Sequence, residues 1–197
     1  PSVLGRPGPA GGSSVARFEA ALLSARCSSP HDETRVAEAL SFLRSDPAAF
    51  ERSNQARHFT GSALVVDPSR TMALLTLHAK LGHWMQLGGH CDGIRDPFFV
   101  AWKEAYEESG LKDITPVSDA IFDIGIHSIP EHKGVPEHRH YDVRYLFVAD
   151  PAEPLGISEE SLDLKWVPID RFEDYVHGRS MIDMREKLRA LGRDGQP

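Results

Sequence analysis

Glu104, Glu107 and Glu108 follow a Gly88-Gly89 pair in the stretch GGHCDGIRDPFFVAWKEAYEESGL. On a helix turning by about 100° per residue, these three carboxylates share one arc. Phe98, Phe99, Ala101, Trp102, Ala105 and Tyr106 cover a broad apolar arc. Glu104 and Glu108 are like charges one turn apart, which destabilises a helix by a few tenths of a kcal/mol. A divalent cation held between them reverses that sign, and carboxylate oxygens with water are what Mg²⁺ prefers. The Gly-Gly pair lets backbone approach a ligand closely. The plainer alternative is a solvated face, with Lys103 and Lys112 paired to Glu107 and Glu108.

A second group lies in EHRHYDVRYLFVAD. If this segment is extended, His138, His140, Asp142 and Arg144 share one face, and Tyr141, Val143, Tyr145 and Phe147 line the other. The polar face then forms the wall of a site for phosphate or a second metal. Arg144 is the expected phosphate clamp, and His90 joins it from beside Gly89. The alternative is a half-exposed strand with its polar face in water. His31, His58, His78, His83, His127, His132 and His177 have no spacing that singles them out. Cys27 and Cys91 form no CxxC pair, and no base is committed to Cys91 as a nucleophile.

The elements that would position these residues follow from periodicity. Pro97 to Ser109 reads as a helix, with Pro in its first turn and Gly110 past its end. Ser62–Asp67 and Met72–His78 are apolar runs joined by the hairpin signal Asp67-Pro68-Ser69-Arg70. Trp84–Leu87, Ala120–Ile129, Tyr141–Ala149 and Leu162–Val167 read as extended. Arg171–Val176 and Met181–Leu191 read as closing helices. Upstream, residues 1–14 are rich in Gly, Pro and Ser and read as a flexible tail. Residues 15–57 form a helical segment, broken at Ser29-Pro30 with a short turn after Asp46-Pro47. This segment is expected to pack on the main domain, 58–197, or to serve as a homodimer element.

The glycine turn and the acidic helix together resemble the Nudix box, G-x5-E-x7-R-E-U-x-E-E-x-G-U, where U is apolar. Gly89, Glu104, Ala105, Glu107, Glu108, Gly110 and Leu111 match in register. Arg95 stands where the family has Glu, and Lys103 where it has Arg. HFTGSALVV, LLTLHAKLGHWMQLGGH and DLKWVPID resemble the strands around the box, so the likeness runs from about His58 to Asp170. It implies a Nudix-type α/β/α sandwich with a mixed sheet, here preceded by the small helical segment. It also implies a pyrophosphohydrolase that uses Mg²⁺ or Mn²⁺ to direct water at a diphosphate, often a nucleoside diphosphate linked to another moiety. Glu104, Glu107 and Glu108, with the Gly89 carbonyl, are the implied metal ligands and catalytic residues. The general base is a box glutamate or one of Glu131, Glu137, Glu159 and Glu160. In the family the first Glu and the Arg pair. Here two cations replace them, and Asp96 or Asp92 is expected to supply the missing acid to Lys103 or Arg95.

Composition bounds the function classes. The chain has 197 residues, 41% apolar and 26% charged, which is ordinary for a globular domain. A net charge of −7 argues against a nucleic-acid or anionic-membrane surface. Apolar runs long enough to span a bilayer are absent, and a reducing cytoplasm is the expected setting. Three readings remain: a metal-dependent diphosphatase, a catalytically weakened Nudix-like nucleotide-binding or sensor module, and a prenyl-diphosphate isomerase. The last needs a committed Cys and acid beyond Cys91.

Overall fold

A computed structural model describes residues 13–131, 134–159, 161–176 and 178–193. Residues 1–12 of the tail expected at 1–14, together with His132, Glu160 and His177, lie outside the described residues; Ser13 and Ser14, expected in that tail, instead cap and open α1. Helices α1 (Ser14–Leu23) and α2 (Pro30–Ser45) precede strand β1 (Arg57–Val66). Then come β2 (Met72–His78), β3 (Trp84–Met85), β4 (Leu87–His90), α3 (Pro97–Ser109), β5 (Ile114–Pro116), β6 (Asp123–Ile129), β7 (His138–Ala149) and β8 (Ser161–Pro168). A 3₁₀ segment (Ile169–Asp174) and α4 (Arg179–Arg193) close the described chain. No described helix is long and apolar enough to cross a membrane.

Caps fix the helix starts. Ser29 accepts from the Asp32 N–H ahead of Pro30, and Asp96 accepts from the Phe99 N–H ahead of Pro97. Gly110 ends α3 in the left-handed conformation, φ 68°. The β1–β2 turn is organised by the Asp67 carboxylate, which accepts from the N–H groups of Ser69, Thr71 and Met72. The expected helix at 171–176 is a 3₁₀ segment beginning at Ile169. The strand expected from Ala120 begins at Asp123; Phe122 reaches β7 only by one N–H to the Arg144 carbonyl, 2.9 Å.

The sheet is mixed. β1 and β7 run parallel at its centre, with His58 opposite His140, Thr60 opposite Asp142 and Ser62 opposite Arg144. On its other edge, β1 pairs antiparallel with β4 over Thr60–Ala63 and with β2 at Val65–Val66. β5 and β6 share the far edge of β7, and β8 pairs with β2. The sheet curls into a half-barrel between helical layers, the α/β/α sandwich expected.

Alternation divides the sheet into two surfaces. Phe59, Ala63, Val65, Tyr141, Val143, Tyr145 and Phe147 form one core with α1, α2 and α3. Leu64, Val66, Leu146 and Val148 meet the 3₁₀ segment and α4 in a second core with Phe172, Met184 and Leu188. The remainder of that second surface is polar, and it carries the histidines.

Candidate functional site

Helix α3 lies close on β1 and β4 because two glycines let it. A Cβ on Gly61 would stand 2.5 Å from the Pro97 carbonyl oxygen, and one on Gly89 would stand 2.6 Å from Glu104 Cδ. This approach places the acidic face against the Gly-Gly strand. Glu108, 5% exposed, accepts from the Gly88 N–H at 3.0 Å. Glu104 covers Gly89, and Glu107 is exposed.

The cation on this face is a lysine. Lys103 Nζ donates to Glu104 Oε1 at 2.7 Å and to Glu107 Oε2 at 2.8 Å. Burial pulls the Lys103 pKa down, but hydrogen bonds to both carboxylates outweigh it and hold the ammonium charged. The like-charge strain of the acidic arc is relieved within the chain. Two of the three expected ligands each give one oxygen to the ammonium and the third accepts a backbone N–H, so an entering Mg²⁺ would compete with Lys103 for this face.

The expected replacement for the altered box pair is not there. Asp92 pairs with Arg52, 3.1 Å, and Asp96 caps α3 with Arg17 3.8 Å away. Among the described residues no ion pair joins either aspartate to Lys103 or Arg95, and Arg95 is exposed. The physical reason is local: Lys103 already has two partners within one turn of its own helix. Of the loop acids considered as a base, Glu131, Glu137 and Glu159 are all exposed.

On β7, His138, His140, Asp142 and Arg144 do share one face, but the lower half of that face is sealed. Arg144 is 3% exposed. Its guanidinium donates to Asp142 Oδ2 at 2.7 Å, Asp123 Oδ2 at 2.6 Å and His127 Nε2 at 2.6 Å. Asp142 also accepts from Ser62 at 2.6 Å, Thr60 at 2.9 Å and Gln86 at 3.2 Å. Burial alone would push the Asp142 carboxyl up and pull Arg144 down; their mutual attraction reverses both, leaving Asp142 lowered and Arg144 raised. Lys187 of α4 extends the network from Asp123 to Asp32 of α2, 2.9 Å. Arg144 is thus committed to the protein and is not the phosphate clamp its spacing suggested. Asp142 likewise serves this network rather than a ligand.

The upper half of the face gathers imidazoles. His138 Nε2 and His140 Nε2 are 3.1 Å apart. His58, which sequence spacing had passed over, stacks within 5.2 Å of His138 and 4.7 Å of His140. Parallel pairing puts it opposite His140; the local clue was the polar alternation His58, Thr60, Ser62 at the start of an otherwise apolar strand. His90 completes the cluster, its ring 5.0 Å from that of His140. Burial first, then the charge of Arg52, holds the His90 pKa down at about 3. Burial and the neighbouring imidazoles do the same for His140, also about 3. One nitrogen each from His58, His138 and His140 lie within 4.8 Å of one another, a set that could hold a metal ion. Cys91, beside the Gly-Gly turn, is fully buried, and burial pushes its thiol far up.

No protein-family model matches the chain, and no curated protein matches it. Solved structures do resemble it. A C. elegans Ap4A hydrolase in a binary complex is 15% identical with a TM-score of 0.52, over 69% of this chain and 98% of its own. A Nudix hydrolase from M. smegmatis is 20% identical with a TM-score of 0.50, over 71% and 88%. The E. coli dihydroneopterin triphosphate pyrophosphohydrolase is 11% identical with a TM-score of 0.50, over 69% and 95%. With the half-barrel sheet, the flanking helices and the helix packed on a Gly-Gly strand, these likenesses establish that the chain has the Nudix fold.

Proposed function

We propose that this chain is a Nudix-fold module that binds a small anionic ligand of the nucleotide type and has little Mg²⁺-dependent turnover. One observation carries the reading: Lys103 bridges Glu104 and Glu107 where a hydrolase of this fold would need a divalent cation. A diphosphate repels an attacking water, and hydrolysis depends on metal ions to neutralise that charge. A lysine ammonium supplies one fixed charge and no coordinated water.

Room for a ligand exists on the histidine side of the sheet. A cleft of about 950 Å³ opens between α2, β6 and α4, with His31, Arg35, His127, Arg179 and Lys187 among its lining residues. That is the size range of small-molecule sites; its lining is mixed in charge, with Arg35, Arg179 and Lys187 paired to Asp32 and Asp183 and with Glu186 beside them. The metal-dependent diphosphatase retains one point in its favour. Glu104 lies against Gly89, and Glu108 of the same helix accepts from the Gly88 N–H.

The deciding experiment is a panel of ADP-ribose, dinucleoside polyphosphates, sugar nucleotides, NAD(H), coenzyme A and nucleoside triphosphates, each with Mg²⁺. Binding is followed by calorimetry and product release by chromatography. The proposal expects at least one compound to bind without appreciable product. Mg²⁺-dependent release that disappears in Glu108→Gln would instead establish the diphosphatase. Absence of binding across the panel would also overturn the proposal.

A further inference from the structure

We propose that His58, His138 and His140 form a site for a zinc-class divalent cation, separate from the acidic face of α3. The histidines stand on the polar surface of β1 and β7. Glu104 packs against Gly89 on the opposite surface, with α3.

Three observations support the assignment. The first is an unsatisfied atom. His58 is 2% exposed and its Nε2 has no hydrogen-bond partner among the described residues, while Nδ1 lies 3.1 Å from the Asn54 carbonyl. A carbonyl can only accept, so Nδ1 carries the proton and Nε2 presents a lone pair. The second is the same arrangement at His138, whose Nδ1 lies 2.8 Å from the Pro136 carbonyl. Backbone carbonyls on the far nitrogen are how metal-bound imidazoles are oriented. The third is spacing. Two nitrogens bound to one tetrahedral ion at about 2.0–2.1 Å stand about 3.3 Å apart. His140 Nε2–H donates to His138 Nε2 at 3.1 Å, and with the His140 proton on Nδ1 instead the same spacing matches the bite of such an ion.

His90 plays a different part. Its Nδ1 lies 2.9 Å from Arg52, which can only donate, so Nε2 keeps its proton. His90 is a donor beside the site and not a fourth ligand. Asp92 pairs with Arg52 and offsets the guanidinium charge near the cation. Three neutral imidazoles leave a coordination position for water or an anionic oxygen. Nitrogen ligands select Zn²⁺, Co²⁺ or Ni²⁺ over Mg²⁺. The site does not depend on the function proposed above.

The test uses tag-free protein with exposed Cys27 changed to serine, stripped by a chelator and titrated with Zn²⁺ against a chromophoric competitor. One Zn²⁺ per chain is expected. His138→Gln and His140→Gln should each weaken it on the order of 100-fold or more. The Glu104→Gln/Glu108→Gln double variant should bind as the parent does. Failure of the parent to take up Zn²⁺ stoichiometrically, parental affinity in the histidine variants, or an equal loss in the glutamate variant would overturn the site. Should a histidine variant fail to fold, Co²⁺-loaded parent protein decides. The intense visible bands of a four-coordinate ion support the site, and the weak spectrum of a six-coordinate ion refutes it.

Discussion

Lys103 Nζ lies 2.7 Å from Oε1 of Glu104, the next residue in the same helix. The two side chains are largely enclosed, 27% and 16% exposed, so the pair is more than a surface ion pair in open water. Its partner Glu107, 60% exposed, adds a second carboxylate one turn on. A helix face that in sequence looks prepared for a divalent ion is partly neutralised by its own chain.

Arg144 is expected to be a structural residue. Arg144→Ala leaves Asp123 and Asp142 buried without their shared cation, which typically costs about 3–5 kcal/mol. Urea denaturation should show a large loss of stability. Arg144→Lys should recover little, because one ammonium cannot serve Asp142, Asp123 and His127 together. Parental stability in Arg144→Ala would contradict the network.

Gly61 should not tolerate a side chain. A Cβ there meets backbone, the Pro97 carbonyl oxygen at 2.5 Å and the Ala101 nitrogen at 3.0 Å, so α3 would have to move. Gly61→Ala is expected to lose about 1–3 kcal/mol. A thermal melt coincident with the parent's would show that α3 does not lie this close.

Asp32 should make stability acid-sensitive. Burial pushes its carboxyl up, but hydrogen bonds from Ser28 and Lys187 outweigh that and lower its pKa from 3.8 to about 2. The folded protein therefore binds this proton less readily than the unfolded chain. The contribution, about 2 kcal/mol, is complete above the unfolded value and is lost as pH falls through the folded one. The stability gap between parent and Asp32→Asn should narrow as the medium is acidified from about pH 5 to about pH 2. A gap that stays constant would contradict the assignment.

The two cysteines should separate chemically. Cys27 is exposed, whereas Cys91 is 0% exposed with its thiol pushed up by burial. A thiol reagent at neutral pH should label Cys27 rapidly and Cys91 only after denaturation. Rapid labelling of Cys91 in native protein would revive the isomerase reading, which needs a reactive cysteine.

Local signals carried the elements well. Asp96-Pro97 and Gly110 bracket α3, Asp67 organises the hairpin turn, and the alternation along β7 sorts its side chains onto the right faces. What those faces meet was not local. Arg144 and Asp142 look solvent-facing along β7 alone; Thr60, Ser62, Asp123 and Lys187, remote in sequence, seal them. His58 was passed over because only its parallel pairing with β7 brings it to His140. The Lys103 bridge was legible as an i,i+4 pair with Glu107, but its reach to Glu104 depends on Gly89 drawing that carboxylate onto the sheet.

The central claim, that Lys103 holds the place of a cation, is tested most directly by titrating Mg²⁺ into parent protein and Lys103→Met by calorimetry. Mg²⁺ prefers oxygen ligands, so the histidine cluster should not compete for it. Methionine keeps the unbranched apolar stem of the side chain and removes the ammonium. The account predicts that Lys103→Met binds Mg²⁺ at least about tenfold more tightly than the parent, a gain of about 1.4 kcal/mol, and that Glu104→Gln cancels it. Equal Mg²⁺ affinity in parent and Lys103→Met would contradict it.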